Sequence, residues 1–177
     1  MYSQTMAELV GKLNSALEMI PGEAVERAAR CVLGHDRVFV GGAGRSGLML
    51  RAFAMRLMQT GRTVYVAGET VTPAIGEGDL LFLASASGAT QSVIHYAEVA
   101  KKAGADLFVV TAAEASPLAA VHPADAVLPC GSKDQPAGPG QIMGTLFEEA
   151  LLIFCDAVVQ SLPADPDKMR RRHANLE

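Results

Sequence analysis

The sequence predicts an α/β fold built on one doubly wound, five-stranded parallel sheet flanked by helices. Two observations lead there. Short apolar runs alternate with segments of helical period, the pattern of strands buried on both faces with helices packed over them. Two of those runs also end in glycine- and serine-rich loops that lead into helices, as turns at the carboxyl edge of a parallel sheet do.

The elements follow in order. Residues 3–20 carry Met6, Leu9, Val10, Leu13, Leu17 and Ile20 at helical spacing, and Pro21-Gly22 ends the pattern. A second helix over 23–33 places Val25, Ala28, Ala29 and Val32 on one face. Strand RVFVG (37–41) comes next, then a helix over 46–59 stopped by Gly61, and strand TVYVA (63–67). Strand DLLFLAS (79–85) leads to a helix over 89–103 and strand ADLFVVT (105–111). A short helix over 116–121 precedes strand DAVLPC (125–130). A Gly/Pro-rich loop over 131–141 reads equally as a lid or a plain surface connection. A long helix over 143–161 ends before Pro163, and a polar, basic tail occupies 162–177. With 177 residues, no internal repeat and no linker, the chain reads as a single domain.

Composition narrows the function. Half of the residues are hydrophobic and 19% are charged, too apolar for a disordered chain. A net charge of −4 argues against nucleic acid, whose phosphates demand clustered Lys and Arg. It leaves open a small phosphorylated ligand, because backbone N–H groups bind one phosphate without net positive charge. Cys31, Cys130 and Cys155 are odd in number and widely spaced, which reads as reduced thiols in a cytoplasmic protein. The four histidines lack zinc-ligand spacing. The start, MYSQTMAELVGKLN, does not have the form of a signal peptide, and no apolar run is long enough for a membrane span.

The chemistry concentrates in two loops. The first, Gly41-Gly42-Ala43-Gly44-Arg45-Ser46-Gly47, satisfies G-x-G-x-x-G over 42–47. Glu69 follows the next strand where a ribose-binding acid would sit, so a dinucleotide site is one reading. The second, Ser85-Ala86-Ser87-Gly88-Ala89-Thr90, presents three hydroxyls, a glycine and a helix start, the makings of an anion nest. Capping of the helix accounts for one of those hydroxyls, not three. In strand order 2-1-3-4-5, the flavodoxin-like order, both loops face one crevice. A dehydrogenase would also need a substrate domain, for which the chain has no room.

At these residues the sequence resembles the sugar isomerase (SIS) domain family, and within it the 6-phospho-3-hexuloisomerase family. The similar segments are GRSGLMLRAFAMRLMQTG (44–61), GETVTP (68–73), SASGATQSV (85–93), MGTLFEEALLIFCDAVV (143–159) and RRHANLE (171–177). The resemblance implies interconversion of D-arabino-hex-3-ulose 6-phosphate and D-fructose 6-phosphate in formaldehyde fixation, without metal or cofactor. It also implies a homotetramer and hexulose-phosphate synthase as pathway neighbour. A phosphosugar-sensing module without catalysis and another aldose–ketose isomerase are the alternatives.

By that resemblance, Ser85, Ser87 and Thr90 hold the phosphate, with Gly88 allowing close approach. Gly44 and Ser46 meet the sugar or its phosphate, and Arg45 either neutralises charge there or forms a salt bridge at the sheet edge. Moving a carbonyl from C3 to C2 requires a base to take the C2 proton. Glu148 is the leading candidate and Glu149 its neighbour. Thr145-Leu146-Phe147-Glu148 also matches a capping box, which would occupy Glu148 with backbone. His173 reads from its surroundings as solvated surface. The RHxNLE resemblance instead makes it an acid–base group on a tail that folds over an active site, of a neighbouring subunit. His35, His95 and His122 read as structural, Glu69 and Thr70 as site border or turn, and Arg51 and Arg56 as interface residues.

Overall fold

The structure, a computed structural model, describes residues 2–134 and 141–175. In chain order its elements are α1 (Tyr2–Glu18), α2 (Gly22–Gly34), β1 (Arg37–Gly42), α3 (Gly44–Thr60), β2 (Thr63–Val66), β3 (Asp79–Ser85), α4 (Gln91–Lys102), β4 (Asp106–Thr111), α5 (Pro117–Val121), β5 (Ala126–Val127), α6 (Thr145–Gln160) and α7 (Pro166–Arg171). All neighbouring strands pair in parallel, in the order β2-β1-β3-β4-β5. This is the predicted sheet. Among the described residues, no helix is long and apolar enough to cross a membrane.

Alternation along the strands sorts the core into two layers, because successive side chains point to opposite faces. Val38, Val40, Leu80, Phe82, Phe108 and Val110 face α1, α2, α3 and α6. Phe39, Leu81, Leu83, Leu107 and Val109 face α4 and α5. Phe82 stacks on Phe108 with ring centroids 4.8 Å apart. Strand β3 is buried at all seven positions, as the central strand of a doubly covered sheet must be.

Several boundaries differ from expectation, each for a local reason. Helix α3 begins at Gly44 rather than 46, so Gly44, Arg45 and Ser46 form its first turn. Strand β5 shrinks to two residues. Leu128 N–H still donates to the Thr111 carbonyl, but Pro129 has no N–H to continue the ladder. Part of the tail forms α7, started by Asp165, whose carboxylate accepts from the N–H groups of Asp167 and Lys168. Most of the expected lid segment, 135–140, lies outside the described residues, as do the last two residues of RHxNLE.

One ion pair pins the register that matters most. Arg37 and Asp79 are register partners at the first position of β1 and β3. Arg37 Nε donates to Asp79 Oδ1 at 2.7 Å, and Gly76 N–H donates to Oδ2 at 2.7 Å. Burial pushes the Asp79 carboxyl upward, but the Arg37 and Gly76 hydrogen bonds outweigh it and hold the group below the usual carboxylate range. A lowered folded value contributes stability above the unfolded pKa, and that contribution disappears as pH falls through the folded value. Asp79→Asn should therefore lower the urea midpoint at neutral pH. The gap to the wild type should close in acid, as measured by urea unfolding across pH.

Candidate functional site

The carboxyl ends of β1 and β3 lie side by side, with Gly42 paired to Ala84. Both following loops thus open into one cavity of about 320 Å³. Its walls come from three places. The first turn of α3 supplies Gly44, Arg45 and Ser46, and the β3–α4 loop supplies Ser85, Ser87 and Thr90. The chain on either side of 135–140 supplies Ser132, Lys133, Met143, Gly144 and Glu148.

The glycines of the first loop have distinct tasks. Gly44 sits at φ 56°, and a side chain there would meet nothing within 4 Å. Gly47 packs the helix start onto the strand end: a Cβ on it would fall 2.6 Å from the Gly42 carbonyl oxygen. No side chain caps α3. Its opening N–H groups therefore remain for a ligand, apart from Gly47 N–H, which donates to the Ala43 carbonyl.

The second loop is organised by its own hydroxyls. Ser85 Oγ donates to Thr90 Oγ1 at 3.3 Å, and Ser87 Oγ accepts from Ala89 N–H at 3.2 Å. Thr90 is the N-cap of α4 yet makes no side-chain cap, so the capping alternative does not consume its hydroxyl. Gly88 is placed differently from Ser85, Ser87 and Thr90. It lies at φ 60° against Ser116, whose Oγ would be 2.2 Å from a Cβ there. The glycine makes room for α5, whose Leu118 N–H donates to the Gly88 carbonyl.

Glu148 closes the cleft from α6. Met143 at φ 56° and Gly144 at φ 83° are consecutive left-handed residues that turn the chain into that helix. For Met143 this conformation is strained by on the order of 1 kcal/mol or more. The capping box does not form: Thr145 Oγ1 donates back to the Ile142 carbonyl, and Glu148 turns to Arg45. Glu148 Oε2 lies 2.7 Å from Arg45 Nε, but the N–H is not aligned with it, and this buried oxygen has no hydrogen bond among the described residues. Burial pushes the Glu148 carboxyl up, Arg45 pulls it down, and the charge of Glu149 pushes it up again, for a net rise. Glu149 faces elsewhere and accepts from Gln141 Nε2 at 3.5 Å.

The other candidates lie apart. His173 is exposed in the tail, where Arg172 Nη1 donates to the Gln59 carbonyl at the C-terminal end of α3. The 17-residue α3 spans about 25 Å, so within its own chain His173 lies far from the first turn that lines the cleft. His35 pairs with Asp106 and His122 with Asp125, while His95 lines a separate apolar pocket beside Tyr96. Glu69 pairs with Arg51 and is not among the described residues that line the cavity. Reading the sequence did not single out Ser132 and Lys133. The signal was there: Gly131-Ser132-Lys133 follows the fifth strand at the same carboxyl edge.

With that geometry in view, comparison with known proteins is specific. The SIS domain family matches residues 33–128. The chain is 47% identical to a 3-hexulose-6-phosphate isomerase of Mycobacterium gastri, over 88% of this chain and 81% of that one. It is 38% identical to a protein of the same name from Bacillus subtilis, over 99% and 98%. A crystal structure of a Methanococcus jannaschii protein, inferred to be a 3-hexulose-6-phosphate isomerase, superposes with a TM-score of 0.80. That protein shares 30% identity over 98% of this chain and 99% of that one.

The close approach at Gly47 is testable. Gly47→Ala should destabilise the protein by about 1–3 kcal/mol, since the added methyl strikes backbone that cannot swing aside. Urea unfolding measures it, and an unchanged midpoint would mean that the strand end tolerates displacement.

Proposed function

The chain belongs to the SIS domain family, among the 3-hexulose-6-phosphate isomerases, and from that premise we propose that it interconverts D-arabino-hex-3-ulose 6-phosphate and D-fructose 6-phosphate. The observation that carries the chemistry is a buried, raised carboxylate, Glu148, facing a cavity that also holds Ser85, Ser87 and Thr90.

In this reading the phosphate sits on the β3–α4 loop. Hydroxyls of Ser85, Ser87 and Thr90 donate to it, and the first turn of α4 adds N–H groups and partial positive charge. Lys133 supplies a mobile cation at the rim. The sugar then extends toward Gly44, Ser46 and α6. Glu148 takes the proton from C2, the electrons form an enediol across C2 and C3, and the proton returns at C3 as the carbonyl settles at C2. Burial makes Glu148 a stronger base than a solvated carboxylate. Phosphate binding, remote from the reacting carbons, serves to hold C2 against that base.

His173 acts, on this proposal, in the cleft of a neighbouring subunit, moving the hydroxyl proton or assisting ring opening. An assembly is supported by exposed apolar side chains along α3, Leu48, Met55 and Met58, and on α1, Met6 and Val10. We assign the protein to the cytoplasm, as a homotetramer, with hexulose-phosphate synthase supplying its substrate.

The assay couples the purified protein to hexulose-phosphate synthase with formaldehyde and ribulose 5-phosphate and follows fructose 6-phosphate. Glu148→Gln should lower kcat about 10²–10⁴-fold with KM little changed. Near-wild-type turnover would place the base elsewhere. Ser87→Ala should raise KM with a smaller effect on kcat. A mixing experiment tests the tail. Glu148→Gln and His173→Gln subunits, each strongly impaired alone, should regain activity when dissociated and reassembled together. If His173 serves its own chain, mixing restores nothing.

A further inference from the structure

We propose that Arg45 is a positioning residue that holds Glu148 before substrate binds and passes its guanidinium to the substrate's phosphate, so that binding the phosphate frees the base. This deepens the isomerase reading and rests on it.

The pair is unequal in freedom. The Glu148 side chain is 12% exposed and stands on α6 between Phe147 and Leu151, both fully buried. The Arg45 side chain is 57% exposed and follows Gly44, around which space is open. The carboxylate is therefore fixed and the cation can move. Their contact is close but misaligned, so it supplies Coulomb attraction without a well-formed hydrogen bond to give up. Among the described residues, Glu148 is the carboxylate that Arg45 meets. A phosphate dianion in the same cavity is a better partner, because a guanidinium fork donates to it through two parallel N–H groups.

Charges facing Glu148 come from each wall. Arg45 approaches from α3, Glu149 adjoins it on α6, and Lys133 lines the cavity from the segment after β5. The β3–α4 loop brings only hydroxyls to the lining. Arg45 is the one that lowers the carboxyl. Drawing it toward a dianion removes that lowering, and the dianion itself adds like-charge repulsion. Both changes raise proton affinity at the moment the C2 proton arrives.

The test compares acid limbs of the pH profiles. kcat/KM reports the free enzyme and kcat the complex. In the wild type, the acid limb of kcat should lie at higher pH than that of kcat/KM. In Arg45→Met, KM should rise about tenfold or more, and the kcat/KM limb should move up while the kcat limb stays. Ionisation of the substrate's own phosphate is common to both enzymes and cancels. Arg45→Lys should restore part of the separation. Limbs that stay put, or that move together, overturn the proposal. Carbon-13 NMR of the Glu148 carboxylate in the wild-type protein gives a second readout, independent of turnover. Saturating inorganic phosphate should raise its titration midpoint, and an unmoved midpoint also overturns the proposal. Failure of the isomerase reading would look different: no fructose 6-phosphate from wild type, or full activity in Glu148→Gln.

Discussion

Everything at the cleft depends on β1 lying directly against β3. The two strands are not neighbours in sequence; α3 and β2 intervene. The chain goes to one side of β1 for β2 and then to the other for β3, and the two loops at this reversal are left with no element between them. Arg37 and Asp79 lock the opposite ends of the same strands in register. A slip of one residue would turn Phe82 out of the layer it shares with Val40 and displace Ala84 from Gly42. Core packing and site geometry are thus one constraint.

The electrostatic design follows from the overall acidity. A chain of net charge −4 cannot attract a dianion by its general field. On the proposed reading the site relies on local donors: hydroxyls at Ser85, Ser87 and Thr90, uncapped helix starts at α3 and α4, and two cations at the rim. Against them stands one buried carboxylate. Burial raises the basicity of Glu148, while the nearby Arg45 offsets part of the cost of its buried charge. Neither group would serve in the same way alone.

Much of the fold was legible in the residues because strand and helix periods are local properties. The apolar runs at 37–41, 79–85 and 105–111 became β1, β3 and β4, and the sheet has the flavodoxin-like order expected of it. Errors gathered where a single residue overrode the pattern. Pro129 cut β5 short, and Asp165 with Pro166 started a helix in a tail that reads in sequence as polar and basic without regular structure. Of the site, the two loops were visible as composition. The role of Gly88 was not, since its glycine requirement comes from Ser116, 28 positions away.

Sequence by itself determined the family, the five-stranded sheet and the pair of loops, because each rests on local pattern or on motifs carried along the chain. Tertiary structure alone decided that the capping box at Glu148 does not form. Residues 145–148 spell that box, yet Thr145 turns back to Ile142 and the carboxylate meets Arg45, which arrives from α3 about a hundred positions earlier. It also set His173 apart from the cleft of its own chain. Distances between residues remote in sequence depend on how helices pack across the sheet, and no local pattern encodes them.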